Sequence, residues 1–293
     1  MAPLKILGIY RDPIFSNNAI EVDRLILEHS IAQLEELSPF PVQVQFVEEA
    51  HAKDIRGFFD LVLTMAQREE TLVAFENNLG ASPVWNSSAA IRNCYRLNMS
   101  AALIALPVGY VPYHVLSTEA ATLPALSDAP HGYWVKRSDF HAISNEDVSL
   151  AKTPAEILEK LSAFRARGVG QVTLQPHIEG DIYKFYGVRG KFFRAIRVKN
   201  VFGDTVKADL AELQRVAALS ANALELMVYG GDAILDAEGK FHLIDLNDWP
   251  SFRICREEAA RAIAELALDH FNLTPGAGRD GARAPALAAS ARR

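Results

Sequence analysis

Cysteine is nearly absent. Cys94 and Cys255 are the only two in 293 residues, too few for a disulfide framework. They show no metal or redox spacing, and both read as structural. No uninterrupted apolar run reaches the roughly 18 residues that a membrane span needs. The opening MAPLKILGIYRD lacks a long apolar signal core and acquires charge quickly, so a cytoplasmic protein is expected. An excess of positive charge is also missing. Lys and Arg total 30 against 36 Asp and Glu, a net charge of −6. Neither nucleic acid nor an anionic membrane is therefore an expected partner. No internal repeat is visible. What remains is ordinary globular composition, 49% hydrophobic and 23% charged. At about 150 residues per domain the length predicts two structural units. A cytosolic enzyme is the leading class.

The chain reads as alternating strands and helices. LKILGIY is a short buried strand, followed by the loop RDPIFSNN. A helix follows with Val22, Leu25 and Ile26 near one face, continuing towards Leu34 and Leu37 until Pro39 and Pro41 break it. PVQVQFV, FFDLVLTMA and GASPVWNSS read as three further strands. This order over the first 85 residues predicts an open α/β layer with a parallel sheet. Residues 89–105 look helical, and YHVLS and HGYWVKRSD look like strands. TPAEILEKLSAFRARG is the clearest helix. Thr153 caps it, Pro154 fits its first position, Glu156 closes a capping box, and Gly168 stops it. QVTLQPHI is a strand. DIYKFYGV and KFFRAIRV then pair around an Arg-Gly turn. Leu210, Leu213, Val216 and Leu219 mark a further helix. YGGDAILD and KFHLIDLN form a second hairpin, and residues 257–271 are helical. The low-complexity tail from about Pro275 reads as disordered.

Chemistry concentrates in GDAILDAEGKFHLIDLNDWPSF. Asp232 opens one strand and Asp245 nearly closes the next. Asn247 shares a face with Asp245. A hairpin brings Asp232 opposite that pair, giving two carboxylates and an amide carbonyl. Such hard oxygen donors suit Mg²⁺ shared with nucleotide phosphates. The competing reading is a set of polar strand ends with turn roles. Lys136 sits in an otherwise apolar strand, where a charge needs a partner such as a phosphate. Alternatively it faces solvent on an edge strand. Lys184, Arg194 and Arg197 offer a positive wall. In LQPHIEGD, Pro176 interrupts a strand and frees backbone groups to read an adenine edge. An ordinary turn is the alternative.

In this order the motifs resemble the ATP-grasp superfamily, from near Asn86 to about Phe252. NSSAAIRNCYR resembles the opening motif of RimK-like and inositol-phosphate-kinase-like members. VKRSD resembles the strand with the phosphate lysine, and LQPHIEGDIYKFYGVRGKFF the adenine hinge and its hairpin. IDLNDWPSF resembles the metal strand and is the most specific match. The resemblance implies an α/β fold of the α+β ATP-grasp kind, divided into four parts. These are an N-terminal open parallel α/β domain (1–85), a central and lid subdomain (86–170), a C-terminal subdomain (171–272) and a disordered tail (273–293). It implies ATP and Mg²⁺ as cofactors. Arg96, Lys136, Gln175, Pro176, His177 and Ile178 would bind nucleotide. Lys184 and Arg197 would face phosphates or the second substrate. Asp232, Asp245 and Asn247 would hold metal. Two departures stand out. Arg96 occupies a position that is commonly Lys. The usual glycine-rich lid is replaced by SDFHAISNEDV, with no glycine between Ser138 and Val148. There His141 and Asp147 contact substrate or cap turns, and the structural role is favoured. The implied activity is a carboxylate–amine ligase working through an acylphosphate on small acid and amine substrates. A small-molecule kinase of the inositol-phosphate kind and a non-catalytic nucleotide-binding regulator are the alternatives. A homodimer is left open.

Overall fold

The computed structural model describes residues 2–16, 20–142 and 144–274. The expected tail from Pro275 lies outside the described residues.

Strand β1 (Leu4–Tyr10) runs into helix α1 (Ile20–Leu37), β2 (Val42–Glu48), the one-turn α2 (Glu49–Ala52), β3 (Leu61–Thr64), α3 (Glu69–Asn78) and β4 (Val84–Trp85). The four strands form a parallel sheet in the order β2-β1-β3-β4. β3 and β1 from Ile6 onward are continuously buried because both faces are covered, whereas edge β2 alternates over its first residues. The buried face of α1 keeps the expected Ile26, Leu34 and Leu37 and adds polar residues. It carries Asp23, Ile26, Leu27, Ser30, Ile31, Leu34 and Leu37, while Val22 and Leu25 are half-buried. Asp23 earns its buried place by accepting from Ser16 at 2.8 Å and pairing with Arg11 at 3.2 Å.

The expected helix over 89–105 is two, α4 (Ser88–Asn93) and α5 (Arg96–Leu103), broken at Cys94 and Tyr95. Then come β5 (His114–Ser117), β6 (Tyr133–Arg137), β7 (Val148–Ala151), α6 (Pro154–Ala166) and β8 (Gln171–Pro176). These strands form an antiparallel sheet ordered β5-β8-β6-β7. β8 lies inside it, so the middle sheet extends past residue 170. Thr153 Oγ1 caps α6 by accepting from Glu156 N at 3.2 Å. Glu156 reaches back to Lys152 N at 2.7 Å rather than to the cap residue itself. Gly168, with φ +78°, ends the segment in the left-handed region.

The last layer comprises β9 (Asp181–Val188), β10 (Phe192–Lys199), α7 (Leu210–Ala223), β11 (Val228–Leu235), β12 (Phe241–Asp248) and α8 (Arg256–His270). Its strands pair antiparallel in the order β10-β9-β11-β12. α7 buries Leu213, Val216 and Ala217 in one core with Tyr183, Phe185, Ala233 and Leu246 of the sheet. The opposite sheet face is left to line the cleft against the middle sheet. α8 shares a core with α1 and β1, so the chain returns to its first layer. Asn86, fully buried, stitches the layers. Its amide donates to Val228 O at 2.7 Å and accepts from Met227 N and Val228 N at 2.7 and 3.1 Å. Both cysteines are free and buried.

Candidate active site

The cleft-facing side of the last sheet is organised in three rows by strand register. Ile182 pairs with Ile234, Lys184 with Asp232, and Tyr186 with Gly230. Across the next pair of strands, Asp232 meets Asp245 and Gly230 meets Asn247. A register shift beside Asp232 inserts Ile244 into β12, and Ile244 joins the apolar row. Side chains alternate with period two, so successive rows lie about 7 Å apart. The face therefore passes from an apolar row, through the charged row Lys184–Asp232–Asp245, to a row of Tyr186, Gly230 and Asn247.

A cavity flanks each side of the charged row. Over the apolar row lies a cleft of about 470 Å³, closed on its far wall by Trp134, Lys136 and Gln175 of the middle sheet. Pro176, His177 and Ile178 line it as well. Over the third row is a smaller polar pocket of about 160 Å³, lined by Lys184, Tyr186, Asp232, Asn247, Pro250 and Ser251. Gly230 keeps its floor low, because a Cβ there would meet the Pro250 ring at 2.8 Å.

Lys136 is not on an edge. β6 is an inner strand, Lys136 is 7% exposed, and its Nζ donates to Gln175 Oε1 at 2.6 Å. Burial and then the Arg96 charge lower its pKa to about 7, with Asp245 and Asp232 pulling the other way. Arg96 opens α5 and is 2% exposed. Its Nε donates to Arg137 O at 3.1 Å and its Nη1 lies 3.6 Å from Asp245 Oδ1. Burial pushes the Asp245 carboxyl up, but Arg96 and Lys136 outweigh it and hold the group below the usual carboxylate range. Asp232 is pushed up by burial despite the Lys184 ammonium at 2.9 Å. Burial lowers Lys184, and Asp232 more than restores it. Asn247 Nδ2 lies 3.4 Å from Asp245 Oδ2.

The structure thus brings together Arg96, Lys136, Gln175, Pro176, His177, Ile178, Lys184, Asp232, Asp245 and Asn247. It does not bring Arg197 to them. Arg197 pairs with Tyr183 in register and so lies on the face opposite Lys184. Its guanidinium is spent on Asp181 at 3.4 Å, Asp204 at 3.0 Å and Gly203 O at 2.8 Å. His177 donates its backbone N–H to Gly132 O at 2.9 Å, and its Nδ1 accepts from Trp134 Nε1 at 2.9 Å. Among the described residues no group of three or more His, Cys, Asp or Glu gathers around a metal position. Two opposed carboxylates and one amide oxygen fit a hard cation that draws its remaining oxygens from phosphate and water, as Mg²⁺ does.

The sequence left His141 and Asp147 as substrate contacts or turn caps, with the structural role favoured. Asp147 is one: it is fully buried, closes a capping box with Ser144, and pairs with Arg137 and Arg167. His141 is different. Arg11, Asp245, Arg96 and Arg137 lie within electrostatic reach of its imidazole, and burial followed by Arg11 lowers its pKa to about 3.

This layered arrangement is the ATP-grasp fold. Among solved structures the chain resembles the D-alanine-D-alanine ligase of Coxiella burnetii, with a TM-score of 0.64 and 14% identity over 93% of this chain and 96% of that one. It resembles the D-alanine--D-alanine ligase of Bacillus anthracis complexed with ATP equally well (TM-score 0.64, 14% identity, 92% and 99% covered). The D-alanyl-alanine synthetase A of Vibrio cholerae follows (TM-score 0.63, 14% identity, 92% and 100% covered). No family model matches the sequence, and no curated protein matches it.

Proposed function

We propose that this protein is an ATP-dependent carboxylate–amine ligase that works through an acylphosphate with Mg²⁺, as a RimK-like member of the superfamily. One observation carries the reading. The charged row Lys184–Asp232–Asp245 lies between two cavities on one sheet face, a large apolar one and a small polar one. The apolar cleft, of a size suited to a small-molecule ligand, receives the adenine and ribose. Its phosphates extend past Lys136 to the carboxylates. The small pocket receives the acceptor in line with the terminal phosphate.

Asp232, Asp245 and Asn247 would hold Mg²⁺, which neutralises phosphate charge when bound. Lys136 binds phosphate oxygens from the middle sheet, and Arg96 holds Asp245 ionised and oriented. Lys184 stabilises charge on the acceptor side. A substrate carboxylate takes the terminal phosphoryl group, ADP departs, and an amine then displaces phosphate from the acylphosphate carbon.

The kinase alternative, with a polyphosphate acceptor, asks for several unspent cations beside the small pocket. The cations of the hairpin are committed elsewhere. Arg189 donates to Leu226 O at 2.8 Å, Lys191 pairs with Asp269, and Arg194 pairs with Glu258. A net charge of −6 also argues against nucleic acid as substrate. Among the described residues no helix is long and apolar enough to cross a membrane. A cytoplasmic location belongs to the same proposal.

The test is release of ADP and inorganic phosphate by purified protein with Mg·ATP against a panel of small acids, amines and inositol phosphates. Release that needs both an acid and an amine supports the ligase. Turnover on a single phosphorylated or hydroxylated acceptor without free phosphate would replace it with the kinase. Binding of ATP with no turnover on any pair would support a nucleotide-binding regulator.

A further inference from the structure

The small pocket beyond the charged row is walled by a strand and a turn, and both are held rigidly. Tyr186 stands on β9 one row past Lys184, and its ring packs on Phe252 at 5.6 Å. Pro250 and Ser251 belong to the turn that leaves β12. Trp249 and Phe252 bracket them with φ of +37° and +46°. Residues other than glycine rarely adopt that conformation, and both of these are fully buried. Trp249 is tied on two sides. Its Nε1 donates to Trp85 O at 3.0 Å, and its carbonyl accepts from Arg11 at 2.7 Å. Burial thus holds a strained turn against the pocket and fixes Ser251 in its wall.

The wall carries three neutral polar side chains, Tyr186, Asn247 and Ser251. The Asn247 amide leans on Asp245 at 3.4 Å. The Tyr186 and Ser251 hydroxyls make no hydrogen bond among the described residues, and each can both donate and accept. The only lining charges are Lys184 and Asp232, paired with each other at 2.9 Å. Arg194, beside Tyr186 in register, is paired with Glu258. Arg253 follows in the same turn but is exposed and outside the lining. An extra anion on the substrate would therefore meet Asp232 and the nucleotide phosphates with no free cation beside it. An extra cation would find no free carboxylate. Charges without a counter-charge are costly to bring into such a site. At about 160 Å³ the pocket is roughly half the size of the smallest ordinary ligand clefts.

We propose that the acid substrate is a short monocarboxylic acid bearing a neutral hydroxyl, and that Tyr186 and Ser251 are the residues that read this hydroxyl. This rests on the ligase reading above and names the substrate class of that same pocket. The carboxylate faces the charged row, where it takes the terminal phosphoryl group. Successive rows about 7 Å apart place the two reading hydroxyls a few bonds further along the acid. An analogue without the substrate hydroxyl leaves them unpaired, which is how such a site discriminates. Tyr186 and Ser251 are both half-buried, so water compensates in part and each contact is worth about fivefold.

Hydroxylamine serves as the amine in the test, because it displaces phosphate from an acylphosphate carbon and leaves a hydroxamate. Purified wild-type protein with Mg·ATP and hydroxylamine is offered propionate, its α- and β-hydroxy derivatives, alanine and malonate. Hydroxamate formation should favour one of the hydroxy acids over propionate by about tenfold or more in kcat/KM, with alanine and malonate the poorest. Tyr186→Phe and Ser251→Ala should each reduce the preference for the hydroxy acid about fivefold. The KM for Mg·ATP should be kept in both, which shows that the nucleotide cleft is intact. Arg253→Ala should leave the ranking as it is. A preference for alanine or malonate, or a ranking that neither Tyr186→Phe nor Ser251→Ala alters, would overturn the proposal and leave the ligase standing. Hydroxamate from none of the five acids would overturn it too. ADP formation on a phosphorylated acceptor with no acid present would overturn the ligase reading along with it.

Discussion

At the scale of single residues, the site is set by the opposed displacement of two buried charges. Lys136 and Asp245 both sit where burial penalises ionisation, yet Asp245 stays ionised while Lys136 titrates near about 7. The difference is Arg96, which attracts one and repels the other. A pH dependence follows. Phosphate favours the ammonium form of Lys136, so Mg·ATP affinity should fall as pH rises through about 7. Lys136→Arg, charged at every working pH, should flatten that profile. Calorimetric Kd values between about pH 6 and pH 9 decide it. Stability runs the other way. The folded pKa lies below the ordinary lysine value of 10.5, so the folded state binds fewer protons between about 7 and 10.5. The unfavourable contribution of Lys136 is thus relieved as pH climbs through that window. For Asp245, replacement by Asn keeps size and removes charge. Turnover with Mg·ATP should drop by about 10²-fold or more, with the circular dichroism spectrum retained. Undiminished turnover would sink the assignment of Asp245 to the metal.

At the scale of elements, helix α6 shows how far local chemistry reaches. Its cap, first-position proline and glycine stop are all used. Thr153→Ala should therefore cost about 1 kcal/mol in urea unfolding without altering nucleotide affinity. The strands were legible for the same reason, since apolar runs bounded by turn residues leave few alternatives. The short α3 and β7 were not. α3 buries only Thr71, Leu72 and Phe75, and β7 has four residues, so neither displays a full period. On α1 the expected Ile26, Leu34 and Leu37 are buried, but Val22 and Leu25 are only half-buried, because Asp23 and Ser30 share the buried face and hydrophobic periodicity does not register a buried ion pair. Arg197 illustrates the limit at the site. Its charge was visible, but whether it shares a face with Lys184 depends on register, and the register turns it away. Asp232, Asp245 and Asn247 were recoverable because two-residue spacing and one tight hairpin decide their faces locally.

At the scale of the whole molecule, the first layer is not a separate body. α8 packs its alanine-rich face, with Ile263 and Leu268, into the core that Ile26, Ile31 and Leu34 of α1 supply. Gln67, after β3, donates to both oxygens of the buried Asp248 at 3.0 and 3.1 Å, and Trp249 Nε1 donates to Trp85 O at 3.0 Å. Asn86 completes the seam by satisfying three backbone groups at the start of β11. Arg11 of the first layer joins the same seam by donating to Trp249 O at 2.7 Å. The two layers should accordingly unfold together, in one urea transition reported alike by tryptophan fluorescence and far-ultraviolet circular dichroism. Asn86→Ala leaves buried backbone groups without partners and should cost on the order of 3 kcal/mol. It should also separate the two probes, because the loosened seam lets the first layer melt early. A variant that loses little stability and keeps coincident transitions would show that the shared α1–α8 core, rather than Asn86, holds the layers in register.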